Sequence, residues 1–198
     1  MNIIAVNPGH NGSAAFLVDG ELKFYIEEER LSRSKYDGNP YRGILEAVNY
    51  GVDCIVIGGT SEVLPTLPWT GEDPYTALVR KFCPNVQTIN LGMQHHLGHA
   101  AEAFYNSGFE EAVAVVVDGA GTRHNMAFGE TEADKVESQG WETESIIDCS
   151  YPANFDNVFK RYGGIPGNQS IATNEVVMDS SVTITKAYEA VSLSLIHI

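Results

Sequence analysis

The sequence predicts an α/β chain in which one structural unit is built twice. Two observations carry that reading. A strand, a glycine-rich turn and two further strands open the chain at residue 2, and the same order restarts at residue 112. Each unit begins with a short apolar run, NIIAV and AVAVVV, of the length and composition of a buried strand. A unit repeated in this way is expected to hold a ligand between its halves.

The elements follow in order. Residues 2–6 are a buried strand, and residues 7–12 (NPGHNG) a turn punctuated by Pro8, Gly9 and Gly12. Residues 13–18 are a second strand, Asp19-Gly20 a hairpin turn, and residues 22–28 a third, alternating strand. Residues 41–50 form an amphipathic helix with Ile44, Leu45 and Val48 on one face and Gly51 just past its end. The strand CIVI at 54–57 is stopped by Gly58-Gly59. Residues 60–84 are an irregular excursion with a short helix at 75–82, and 86–90 is another strand. A helix carrying His95 and His99 ends at Asn106-Ser107-Gly108. Residues 112–117, 125–130 and 141–147 are the strands of the second unit. Residues 155–162 are read as a short helix, 163–181 as a polar loop and 185–192 as a further helix start. The expected division is a first subdomain at 1–110, including the His helix, and the opening of a second at 111–192. The last six residues, LSLIHI at 193–198, are expected to be a non-native tail and are left out of fold reasoning.

Composition narrows the function classes. At 198 residues the chain has room for one sizeable domain or two small ones. Its net charge of −14 disfavours a nucleic-acid partner, because neutralising phosphates needs a basic face. The three cysteines, Cys54, Cys83 and Cys149, are widely spaced and odd in number. They read as reduced thiols of a cytoplasmic protein. Met1 leads directly into a strand with no basic n-region, so no signal peptide is expected, and the apolar run 112–117 is too short to span a bilayer.

Three constellations carry chemistry. His95 and His99 stand four apart on a helix, so their imidazoles share a face and can grip one ion. The strand that follows delivers Asp118 into Gly119-Ala120-Gly121, which sets an oxygen donor at a sheet edge. Such a mixed nitrogen and oxygen set suits iron, zinc or manganese better than calcium or magnesium. The spacing fits a plain surface helix equally well. A zincin would carry Glu where His96 stands, so that general base is missing. A dinucleotide fingerprint would need Gly where His124 stands, and a strand follows instead of a helix. His10, in the first glycine turn, is a candidate general base or a plain turn histidine. The run EEERLSRSK at 27–35 gathers Arg30, Arg33 and Lys35. It reads as an anion-holding cluster or as a solvated charge run.

Taken together, NPGHNGSAAFLVDGEL, EEERLSRSKYDGNPYR, HHLGHAAEAFY and VVVDGAG, in that order, resemble the N-terminal part of the carbamoyltransferase family that includes nodulation and antibiotic-tailoring O-carbamoyltransferases. KAYEAVS at 186–192 is a fainter match. The resemblance implies an actin-like ATPase (ribonuclease H-like) duplicated fold, akin to the tRNA threonylcarbamoyl transferase domain. It implies that ATP and carbamoyl phosphate are joined to carbamoyl-adenylate by a C-terminal adenylating domain of the same polypeptide. The actin-like domain then moves the carbamoyl group to a hydroxyl of a small molecule. By position, His95, His99 and Asp118 correspond to ligands of a divalent metal, Fe2+. His10 corresponds to the base on the acceptor hydroxyl, and Lys35 and Asp118 to contacts with carbamoyl-adenylate. Two departures stand out. Thr122 occupies the place of the family's Glu after D-G-x-G, and the G-K-x-M-G-L-A motif with its further metal-binding Asp does not follow KAYEAVS. The chain is therefore expected to be a fragment, inactive by itself. The alternatives are a non-catalytic metal- or nucleotide-binding fragment and a tRNA threonylcarbamoyl transferase relative.

Overall fold

The computed structural model describes residues 1–9, 11–58, 64–119, 121–128, 136–163 and 195–196. The expectations for His10, for the loop at 163–181 apart from Gly163, for the helix start at 185–192 and for most of the 193–198 tail lie outside the described residues. The chain divides into two compact units, Met1–Gln94 and His95–Ile198.

The first unit holds β1 (Asn2–Asn7), β2 (Ser13–Val18), β3 (Glu21–Glu27), β4 (Cys54–Ile57) and β5 (Gln87–Asn90) in one sheet of order β3-β2-β1-β4-β5. The first three strands form an antiparallel meander, while β4 and β5 join β1 in parallel. Only β2 runs against the rest, which is the ribonuclease H-like order that the resemblance implies. The meander needs only short turns: Asp19 (φ 49°) and Gly20 (φ 84°) are both left-handed, as a tight hairpin turn requires. Parallel neighbours need crossovers, and α2 (Tyr41–Val48) and α3 (Pro74–Phe82) supply them. Asp73 caps α3 by accepting from the amides of Tyr75 and Thr76 at 2.9 Å, with Pro74 at the first helical position. The core joins Ile4, Val6, Phe16, Ile55 and Ile57 of the sheet to Ile44 and Val79 of these helices. Leu45, read as core-facing, is 41% exposed; Ala47 takes its place, because α2 lies close enough for Gly43 to press on Ala14.

The second unit contains α4 (His95–Ser107), β6 (Glu111–Val117), β7 (Arg123–Phe128), β8 (Val136–Ser150), β9 (Asn154–Gly163) and β10 (Leu195–Ile196). Its strand pairing differs from that of the first unit. Strand β6 pairs antiparallel with residues 144–150 of β8, and β7 pairs with residues 136–141 of the same strand. The intervening turn does not reverse the chain. Instead Asp118 N donates to Thr143 O, Gly121 N to Glu142 O, and Glu142 N to Thr122 O, so the backbone keeps following β8. The segment 155–162, read as a helix, is β9. It pairs antiparallel with β8. Helix α4 belongs with this unit rather than the first, because Ala100 and Phe104 bury against Ala112, Ala114, Val116, Ile147 and Cys149. Strand β10 pairs in parallel with β6. Among the described residues no helix is long and apolar enough to cross a membrane.

Candidate metal centre

The apolar stripe of α4 that meets β6 turns His95 and His99 onto another face of the helix, beside the end of β6. The helix start is held by its neighbour in the fold: Thr122 Oγ1 accepts the His95 amide at 3.1 Å. Thr122, which departs from the family pattern, thus has a local role as the cap that fixes where the His helix begins. His95 Nε2 lies 2.9 Å from Asp118 Oδ2 and 3.1 Å from His99 Nε2, and His99 Nε2 lies 3.8 Å from Asp118 Oδ2. Donors held at metal-ligand distance around one ion stand about 2.8–3.6 Å apart, so two of the separations already fit and the third needs a small adjustment. Among the described residues these three form the one group of this kind. The hydrogen bond from His95 holds the Asp118 carboxyl down at about 2, with the Gly119 amide also donating to it at 2.6 Å. Burial, then the field of His95, lowers His99, which favours the neutral, ligating imidazole. The residues present therefore fit a divalent metal.

Beneath this face lies a buried polar layer that sequence reading missed. His96, Thr122, Glu142, Thr143, Glu144 and Ser145 are all buried. Lys160 pairs with Glu142, and Arg161 Nη1 reaches Glu144 Oε2 at 3.1 Å. Glu142 Oε2 also accepts the Thr122 amide at 3.2 Å. Burial pushes Glu142 up, but Lys160 and then His96 outweigh it and leave the carboxyl below its ordinary range. Burial pushes the His96 imidazole down to about 4, although Glu142 and Asp118 pull the other way. Both shifts act in one direction. Between pH 6.5 and 4 the unfolded chain protonates His96 while the folded chain does not, and the Glu142 contribution is likewise lost as acid is added. Unfolding of metal-free protein, followed by denaturant titration, should show His96 alone lowering stability by about 3 kcal/mol from pH 7 to pH 4. A flat profile over that range would contradict this account of the layer.

The other predicted residues lie in the first unit. His10 is outside the described residues, but its turn is held from both sides. Gly9 N donates to Gly38 O at 3.0 Å and Gly12 N to Asp37 O at 2.8 Å. The two segments touch backbone to backbone: a Cβ on Gly38 would fall 2.1 Å from Gly9 O. The run EEERLSRSK is not all solvated charge. It contains α1 (Glu28–Ser32), and Glu28 is buried, accepting the amides of Arg42 and Gly43 at the start of α2. Arg30 lies 3.5 Å from both Glu27 and Glu29. Lys35 is exposed, its ammonium 4.8 Å from the centre of the Tyr36 ring, and it stands between two residues of positive φ, Arg33 (62°) and Tyr36 (61°). Positive φ at such residues is uncommon and persists where packing enforces it. The structure thus joins the Lys35 segment to the His10 turn within the first unit, and gathers His95, His99 and Asp118 within the second.

Over 134 aligned residues the chain is 29% identical to nodulation protein NolNO of Sinorhizobium fredii, a match covering 57% of this chain. Over this stretch the chain is similar to that nodulation protein. The match takes in 20% of NolNO, so the chain spans about one fifth of that protein's length. No protein-family model matches the chain. Solved structures of similar shape include a putative N-acetylmannosamine kinase from Listeria monocytogenes. It is 14% identical at a TM-score of 0.31, covering 86% of this chain and 52% of that one. Another is a Bacteroides thetaiotaomicron protein of actin-like ATPase fold and unknown function. It is 6% identical at a TM-score of 0.35, covering 98% and 78%.

Proposed function

We propose that this chain is the transfer part of an O-carbamoyltransferase that moves a carbamoyl group from carbamoyl-adenylate to a hydroxyl of a small molecule. The observation that carries the reading is the convergence of His95, His99 and Asp118 in a relative of that family. A divalent metal bound there, Fe2+ by resemblance, would supply a Lewis acid that polarises an oxygen. Asp118 and the two imidazoles would hold it. His10 takes the proton of the acceptor hydroxyl as its oxygen bonds to the carbamoyl carbon. The bond from that carbon to the adenylate oxygen breaks, and AMP leaves. Lys35 offers its cation to the anionic adenylate. Carbamoyl-adenylate itself, made from ATP and carbamoyl phosphate, comes from an adenylating domain beyond this stretch of the polypeptide. The net charge of −14 favours a small-molecule acceptor over tRNA.

The test uses the full-length protein with ATP, carbamoyl phosphate and a panel of sugars and hydroxylated metabolites. The expected result is an acceptor heavier by one carbamoyl group, lost on chelation and restored by Fe2+. Transfer indifferent to chelation would refute the metal's part. Metal binding with no transfer to any acceptor would favour a non-catalytic metal-binding role.

A further inference from the structure

One histidine of the cluster is left over by the metal centre. His96 follows His95 on α4 but is fully buried, where His95 and His99 keep some exposure. Its Nδ1 lies 2.7 Å from Ser145 Oγ on β8. Among the described residues its Nε2 is buried without a hydrogen-bond partner, and it stands 4.0 Å from Asp118 Oδ2, the same oxygen that meets His95 and His99. That distance is too long for a hydrogen bond. The turn lies directly on the ring: a Cβ on Gly121 would come 2.4 Å from Nε2 and 2.6 Å from Cδ2. Glycine at 121 lets the backbone rest there. A buried ring nitrogen left without a partner is costly, so the fold bears a penalty for placing it near the carboxylate.

We propose that His96 is a positioning residue for the metal centre: anchored by Ser145, its ring packs against Gly121 and, through the backbone there, keeps the Asp118 carboxylate in register with His95 and His99. It is not itself a ligand, since the donor atoms that gather within 4.8 Å of one another are those of His95, His99 and Asp118. The Ser145 hydroxyl sets the ring's orientation through Nδ1, as partners of metal-site imidazoles do. This inference rests on the metal-centre reading.

The experiment titrates Co2+ into the full chain, reading affinity by calorimetry and site geometry by the visible absorption of the bound ion. Wild type should take up one Co2+. His96→Ala should keep that stoichiometry, bind about 10–100-fold more weakly and shift the absorption band. His96→Gln, whose amide reaches the Nε2 position, should recover most of the affinity, and His96→Asn, which reaches only the Nδ1 position, should not. Ser145→Ala should weaken binding by a smaller factor, and it decides alone if His96→Ala does not fold. Unchanged affinity and spectrum in His96→Ala would overturn the proposal, and so would equal rescue by Asn and Gln. Loss as complete as in His95→Ala would make His96 a ligand instead. Absence of Co2+ binding in the wild type would remove the metal-centre reading itself, an outcome distinct from each of these.

Discussion

Replacing His95 with alanine in the full-length protein should strip the metal. His95 Nε2 is the central donor, 2.9 Å from Asp118 Oδ2 and 3.1 Å from His99 Nε2, so its loss leaves one imidazole and one carboxylate 3.8 Å apart. Removing a partner that only orients a ligand weakens metal sites about 10–100-fold, and losing a direct donor should cost about 10²-fold or more. The fold should survive. The side chain is only partly buried, and the contact from Thr122 Oγ1 is made by the His95 backbone amide, which alanine retains. Elemental analysis after matched dialysis gives the metal content, and circular dichroism checks the helix. Carbamoyl transfer should fall in step with the metal. Full metal content in His95→Ala would sink the three-donor site.

His10→Asn should leave carbamoyl-adenylate formation intact and lower transfer by about 10²–10⁴-fold, the usual worth of a general base. The motivation is the histidine of the first glycine turn together with the family match. The turn's flanks add a physical reason: Gly9 and Gly12 are tied to Gly38 and Asp37, so the backbone on either side of residue 10 is anchored to the Lys35 segment. Adenylate formation and transfer must be followed separately, by pyrophosphate release and by product mass. Equal transfer in the two proteins would give the base to another residue.

Much of the first unit is legible because its signals are local. The runs NIIAV and CIVI can hardly be anything but buried strands, and Asp19-Gly20 dictates a hairpin between two alternating stretches. The i, i+4 histidines likewise announce a shared face before any fold is known. The segment WETES was not legible in this way. Its four consecutive polar residues suggest a solvated stretch, yet Glu142, Thr143, Glu144 and Ser145 are buried. Lys160 and Arg161 make that possible, and they arrive on a strand that was read as a helix. Thr122 looked like a departure from pattern, and only its contact with the His95 amide, 27 residues away in sequence, shows it capping a helix.

By itself the sequence determined the α/β class, the order of the first unit's elements, the family resemblance and the identity of the three candidate ligands. Each is written in short-range spacing, in residue type or in motif order. Tertiary structure alone decided that Asp118 meets the two imidazoles, that His96 lies under the turn, and that α4 packs with β6 and β8. Those facts depend on which strand pairs with β8 and along which stretch. That choice is made by distant partners, Thr143 O for the Asp118 amide and Lys160 for Glu142, and such partners leave no periodic trace in the chain.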